Sequence, residues 1–236
     1  MRALNSVSLI APKPQVLLIH GFGGDVSEVA PLAAHLRHRG YRVATPVLSG
    51  HGQGRRALRA SGWRDWIASA RAGLEELRDE TDRVVVIGFS MGGLIAANLA
   101  LEYPLAGIAM LNAPIFCWNK RQILANVLQD LKTGRREHIR HYAASGVKFP
   151  LRTLAHFQRL LFSTKGRLRA LQCPVFIAQG LLDDTVLPRS GDYLYRHAGS
   201  TVKTLRCYPN SSHLICHEPD SEVLFQDLEC FLTLCL

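Results

Sequence analysis

The stretch that decides the fold runs from residue 84 to residue 94 and reads VVVIGFSMGGL. Residues 84–87 are continuously apolar, which is typical of a strand buried on both faces of a sheet. A helix is predicted directly afterwards, at about 94–102. The pattern Gly-x-Ser-x-Gly spans residues 88–92 and places Ser90 on a sharp strand-to-helix turn. Such a turn exposes the serine hydroxyl and brings it close to the N–H groups at the helix start.

Strand and helix patterns alternate along most of the chain, which predicts an α/β fold with a mostly parallel central sheet and helices on both faces. The predicted strands are 16–19, 41–46, 84–87, 107–111, 175–178 and 202–208. The predicted helices of the main body are 27–39, 63–78, 94–102 and 220–234. A length of 236 residues fits one domain of this class, spanning 1–236.

One long insertion interrupts the alternation between residues 113 and 169. It contains no convincing strand, and helices are predicted at 120–133, 136–145 and 150–162. Because so long an insertion is usually functional, we interpret it as a small helical lid over Ser90. Its apolar residues suggest an acyl-binding pocket, although they would serve equally to attach the lid to the core. The candidate substrate contacts are Phe116, Trp118, Phe157 and Leu161.

A serine hydroxyl becomes a strong nucleophile when a histidine takes its proton and a carboxylate orients that histidine. In a parallel sheet these groups lie in loops at the carboxyl ends of strands. Two aspartates, Asp183 and Asp184, follow the strand predicted at 175–178, and either fits the role of the acid. His213 follows the last predicted strand, so the order serine, aspartate, histidine is met.

Two backbone N–H groups are predicted to hold a developing oxyanion. One belongs to Met91, directly after the candidate nucleophile. The other is assigned to Phe22, in a glycine-containing loop after the first strand that lets the main chain approach a substrate closely.

These segments together resemble the α/β-hydrolase superfamily, and within it the small bacterial carboxylesterases and monoacylglycerol lipases. The resemblance rests on His20-Gly21-Phe22-Gly23-Gly24, Leu48-Ser49-Gly50-His51-Gly52, Gly88-Phe89-Ser90-Met91-Gly92, the spacing of Gly180, Asp183 and Val186, and Ser212-His213. It implies Ser90 as nucleophile, Asp183 rather than Asp184 as the acid, and His213 as the base. The chain departs from the pattern at Ser212, where family members often carry glycine. His51 is interpreted as structural.

The resulting hypothesis is hydrolysis of carboxylic esters through an acyl-enzyme, with short-to-medium acyl esters or monoacylglycerols as substrates. A thioesterase or an acyltransferase would use the same three side chains. A catalytically silent hydrolase fold that acts as a binding protein is the alternative from another class.

Composition narrows the range of partners. The net charge is +9, but the Lys and Arg residues are scattered along the chain, which predicts a solvated basic surface. No nucleic-acid-binding motif is recognised, so no nucleic-acid partner is predicted. His213 and His217 are four apart, yet no further metal-ligand spacing accompanies them, and neither metal nor cofactor is predicted.

Targeting signals are also missing from the sequence. Neither a secretory signal nor an apolar run of the ~20 residues needed to cross a bilayer is recognised. The six cysteines show no CxxC spacing and are predicted to be free thiols in a cytoplasmic protein. The sequence does not indicate an oligomeric state.

Overall fold

The computed structural model describes residues 13–79, 83–117, 120–134 and 150–235. Its strands are β1 (Gln15–Ile19), β2 (Val43–Ala44), β3 (Val84–Phe89), β4 (Gly107–Leu111), β5 (Val175–Gly180) and β6 (Lys203–Tyr208). Its α-helices are α1 (Ala30–His38), α2 (Gly54–Ala60), α3 (Trp63–Arg78), α4 (Met91–Ala100), α5 (Lys120–Thr133), α6 (Leu151–Arg167), α7 (Arg189–His197) and α8 (Ser221–Leu234).

All six strands pair in parallel, in the order β2-β1-β3-β4-β5-β6. Alternate residues of β1 enter two separate cores. Leu17 and Ile19 pack in the core that contains α3 and α4, whereas Val16 and Leu18 pack in the core that contains α1 and α8. Both faces of the sheet are therefore buried, which explains the uninterrupted apolar strands. The predicted α/β class, with a parallel sheet covered on both sides, is confirmed.

Some element boundaries differ from the predictions. The strand predicted at 41–46 is reduced to the two residues of β2. The helix predicted at 27–39 begins as a 3-10 turn, Val26–Val29, before α1 starts. The helix after Ser90 begins at Met91, three residues earlier than predicted, because its glycines serve close packing and do not break the helix.

The described part of the insertion between β4 and β5 is mainly helical, and Cys117 before α5 forms an isolated antiparallel bridge with Val186. Helix α5 has the predicted bounds, and α6 continues beyond the predicted end at 162 to Arg167. The helix predicted at 136–145 lies outside the described residues. The C-terminal half of α6 packs on α4, where Asn98 Nδ2 donates to Thr164 Oγ1 at 2.7 Å. Within the described ranges, every helix is too short or too polar to cross a bilayer.

Candidate active site

Ser90 occupies the turn between β3 and α4 in a strained backbone conformation. Its φ of 50° and ψ of −119° lie outside the regions that side-chain-bearing residues normally adopt. The turn is held by a hydrogen bond from Ser90 N to the Leu111 carbonyl oxygen at 2.7 Å. Glycine is required on both sides, because a Cβ on Gly88 would lie 2.1 Å from the Gly92 carbonyl and one on Gly92 would lie 2.4 Å from the Ile19 oxygen.

The side chains of Ser90, His213 and Asp183 form one hydrogen-bonded chain. His213 Nε2 lies 3.2 Å from Ser90 Oγ, and His213 Nδ1 lies 2.8 Å from Asp183 Oδ2. A carboxylate can only accept, so Nδ1 carries the proton and Nε2 is left as an acceptor for the serine hydroxyl. Asp183 Oδ1 accepts from the backbone N–H groups of Thr185 and Val186, both at 2.8 Å, which compensates for complete burial of the carboxylate.

The charge of His213 is controlled by its surroundings. Burial favours the neutral imidazole, but the charge of Asp183, its hydrogen bond and the charges of Asp184 and Glu28 outweigh burial and raise the pKa of His213 above its usual value. The positively charged form of the His213 imidazole is therefore stabilised at this position.

The two predicted oxyanion donors come from different segments of the chain. Phe22 follows β1 and lines the same cavity as Ser90. Its ring is fixed between Trp66 and Phe157, at centroid distances of 5.7 and 5.1 Å. Met91 is the first residue of α4, so its N–H is one of the helix-start groups that lack an intrahelical acceptor.

A cavity of about 290 Å³ opens over Ser90 and His213. Helix α6 of the insertion contributes Leu154, Phe157 and Gln158 to its wall. The remaining wall is mainly apolar and includes Pro114, Cys117 and Val186. The described residues contain no group of three His, Cys, Asp or Glu side chains placed to hold a metal ion.

The predicted substrate contacts are placed differently from one another. Phe157 lines the cavity. Phe116 is not part of the cavity wall and packs edge-on against Tyr193 at 5.5 Å, and Leu161 is buried in the core beneath the lid. Trp118 lies outside the described residues. Direct substrate contact by Phe116 and Leu161 thus has no support from their positions.

A family model described as "Serine aminopeptidase, S33" (Hydrolase_4) matches residues 10–220. The chain belongs to this family. The predicted resemblance to α/β-hydrolases is thereby confirmed.

Relatives of this hydrolase are similar over nearly their whole length. A carboxylesterase from Bacillus subtilis is 27% identical over 96% of this chain and 98% of its own. A thermostable monoacylglycerol lipase from Bacillus sp. is 29% identical over 89% of this chain and 87% of its own. A solved structure from the description of LipS and LipT, two metagenome-derived lipolytic enzymes, has a TM-score of 0.78 and 27% identity over 93% of each chain.

Two buried histidines of this hydrolase support the loop after β1. His20 Nδ1 donates to the Gly21 carbonyl oxygen at 2.9 Å, and His20 Nε2 accepts from Leu48 N at 3.1 Å. Burial lowers the pKa of His20 and lowers that of His51 to about 4, so both rings are neutral at physiological pH. Their positions agree with the structural role predicted for His51.

Asn112 is a site residue that the sequence analysis missed. It is fully buried, directly follows β4, and has a φ of 46°. Its Nδ2 donates to the carbonyl oxygens of Ser212 and His213, at 2.9 and 2.8 Å, and its Oδ1 accepts from Gly180 N at 2.7 Å. Asn112 therefore ties the loop that carries His213 to the ends of β4 and β5. Its one sequence signal is a polar residue at the carboxyl end of a buried strand.

We expect the Asn112→Ala variant to lose about 2–4 kcal/mol of unfolding free energy, because its buried partners are left unsatisfied and alanine tolerates a positive φ poorly. The kcat for ester hydrolysis should fall by roughly ten-fold with little change in KM, since Asn112 is not part of the cavity wall. Urea unfolding and steady-state kinetics measure both. The control Asn210→Ala, in an exposed loop, should lose less than about 1 kcal/mol; an unchanged kcat in Asn112→Ala would argue against this positioning role.

Proposed function

We propose that this protein is a serine hydrolase that cleaves carboxylic esters through an acyl-enzyme, with Ser90 as nucleophile, His213 as base and Asp183 as the orienting acid. The observation that carries the proposal is the hydrogen-bonded chain that joins these three side chains, with its two contacts of 3.2 and 2.8 Å. The ester-cleaving activity predicted from the sequence is borne out by the family match and by the carboxylesterase and lipase relatives.

The chemistry follows from the direction of these hydrogen bonds. His213 Nε2 takes the proton of the Ser90 hydroxyl as its oxygen attacks the ester carbonyl carbon. The resulting imidazolium is stabilised by its hydrogen bond to the Asp183 carboxylate and then protonates the departing alcohol. Water then loses a proton to His213 as its oxygen attacks the acyl carbon, and His213 returns that proton to Ser90 Oγ as the acid departs, which restores the free enzyme.

The negative charge that develops on the substrate oxygen would be held by the N–H groups of Phe22 and Met91. Both are backbone donors on rigid positions, one next to β1 and one at the start of α4. Preorganised donors of this kind need no rearrangement during the reaction, and each typically contributes a factor of about 10²–10³ to the rate.

The segment 113–169 would act as a lid of the single domain and supply the acyl pocket. Leu154 and Phe157 of α6 support this assignment because they line the cavity above Ser90. A modest cavity of about 290 Å³ favours short-to-medium acyl chains, including those of monoacylglycerols. We also propose a cytoplasmic location, which the free cysteines favour, and no nucleic-acid partner, since the basic residues are scattered.

Two substrate panels test this function: one has a common acyl group on different leaving groups, and the other consists of esters that differ in acyl length. We expect the oxygen ester to be hydrolysed with a much higher kcat/KM than the matching thioester or p-nitroanilide, and activity to decline from short-to-medium to long acyl chains. A fluorophosphonate should label the protein once. Preference for the thioester would make the protein a thioesterase, and absence of both labelling and turnover would indicate a silent binding protein.

A further inference from the structure

Glu28 brings a carboxylate into the cavity that the proposed mechanism does not use. It lies in the 3-10 turn Val26–Val29, is partly buried, and lines the same cavity as Ser90 and His213. Its side chain lies against the loop that carries Phe22. A Cβ added to Gly24 would lie only 2.1 Å from Glu28 Oε1, so glycine in this loop makes room for the carboxylate.

Only one of the two carboxylate oxygens is occupied by the protein. Oε2 accepts from Gly21 N at 2.8 Å. Among the residues that the structure describes, no group donates a hydrogen bond to Oε1, and no cation forms an ion pair with Glu28. Oε1 is not fully buried. An oxygen that keeps some exposure, on a side chain that lines the cavity, can still accept a hydrogen bond from a substrate. Burial raises the pKa of Glu28, which reflects the incomplete compensation of its charge.

Glu28 shares the cavity with His213, which would protonate the departing alcohol, and the charges of these two side chains interact. His213 donates a proton to that alcohol, so the alcohol oxygen must lie beside His213 Nε2. The turn that carries Glu28 is joined to the segment after His213 by a hydrogen bond between His217 Nε2 and the Ser27 carbonyl oxygen at 3.0 Å. The apolar wall formed by Leu154 and Phe157 comes instead from the lid.

We propose that Glu28 determines the specificity of the enzyme for the alcohol half of its substrate, by accepting a hydrogen bond from a free hydroxyl of a polyol ester. This inference rests on the proposed ester hydrolysis. An alcohol with a hydroxyl two or three atoms from the ester oxygen satisfies Glu28, whereas an alkyl alcohol of the same shape leaves a desolvated carboxylate without a partner. The enzyme therefore prefers glycerol-like esters over their alkyl counterparts.

Two octanoate esters test this inference in the wild-type enzyme. 1-Octanoylglycerol and propyl octanoate have the same acyl group and the same three-carbon alcohol skeleton, and differ only in two hydroxyls. We expect kcat/KM to be at least about ten-fold higher for the glycerol ester, because this ester alone can donate a charge-assisted hydrogen bond to Glu28. The assay uses no detergent and stays below the solubility limit of both esters, so that the enzyme meets dissolved single molecules and not micelles or droplets.

The Glu28→Gln variant then assigns the preference to this residue. Glutamine has the same shape and keeps an oxygen that can accept from Gly21 N, so the loop stays in place while the charge is lost. The ratio of kcat/KM for the glycerol ester to kcat/KM for propyl octanoate should fall by about ten-fold, whatever change is common to both esters. The matched control Asp25→Asn removes a charge from the same turn outside the cavity wall, and its preference should remain that of the wild type.

Each other outcome rejects the inference. Equal losses for both esters in Glu28→Gln would show that Glu28 only positions the loop. Equal rates for both esters in the wild type would exclude the specificity even if the variant did not fold. These results leave ester hydrolysis intact, whereas failure of the wild type to hydrolyse either octanoate, and also the p-nitrophenyl esters, would reject the proposed function together with this inference.

Discussion

The Ser90→Ala variant is expected to lose ester hydrolysis by a factor of about 10⁶ in kcat while it stays folded. The substitution removes the oxygen that attacks the ester, and no other hydroxyl is hydrogen-bonded to His213 among the described residues. Alanine keeps the Cβ that serine already has in this strained turn, so it adds no new clash. The lost hydroxyl has one hydrogen-bonding partner, and unfolding free energy should change by about 1 kcal/mol or less.

Single-turnover kinetics, fluorophosphonate labelling and thermal unfolding measure this result together. The labelling should disappear, the melting temperature should stay near that of the wild type, and binding of a non-hydrolysable ester analogue should persist. The control Ser200→Ala removes a remote hydroxyl that is bonded to Val202 in the described part of the chain, and this variant should retain full activity. Covalent labelling that persists in Ser90→Ala would place the nucleophile elsewhere and end the present assignment.

The three central residues of the site could be predicted from the sequence because the geometry of a parallel sheet fixes where the loops after its strands lie. Its strands all end at the same edge, so polar residues that follow strands 84–87, 175–178 and 202–208 must lie close together in space. The structure brings Ser90, Asp183 and His213 within hydrogen-bonding distance at that edge.

The sequence does not predict residues whose position depends on contacts between distant segments. Asn112 bonds to carbonyl groups about a hundred positions away, and nothing in its local sequence specifies those partners. The lid shows the same limit, because α6 has apolar residues in both halves, from Leu151 to Phe162. Its first half, with Phe157, covers the cavity, whereas its second half, with Leu161, is buried against the body. Periodicity identifies the apolar face of a helix but does not say what that face meets.

The second large effect is expected for Asp183→Asn, with kcat lower by a factor of about 10⁴. The reason lies in the fixed donors around this side chain. Because the backbone N–H groups of Thr185 and Val186 point at one oxygen, the asparagine amide must turn its own oxygen toward them and its NH2 group toward His213. His213 Nδ1 must then accept, so its proton moves to Nε2 and the imidazole no longer takes a proton from Ser90.

The control for this variant is Asp184→Asn, which changes the adjacent carboxylate. Asp184 lies near Asn126 and the Thr185 hydroxyl, and it does not bond to His213 in the described contacts. Its substitution should change kcat by no more than about three-fold. Comparable losses in the two variants would mean that the orienting acid is not Asp183 alone.

The pH dependence of kcat/KM distinguishes loss of orientation from general damage to the site. His213 must be neutral to act as a base, so activity declines as pH falls through its pKa, and since that pKa is raised, the wild-type decline should be centred above pH 6.5. In Asp183→Asn the lowering effect of burial is no longer outweighed by the adjacent carboxylate, and the remaining charges of Asp184 and Glu28 are weaker causes. The pH at which kcat/KM declines should therefore be lower in Asp183→Asn than in the wild type, and the maximum kcat/KM at high pH should also be lower. If the maximum kcat/KM is lower but the pH of half-maximal kcat/KM is unchanged, the carboxylate of Asp183 does not act through the protonation of His213.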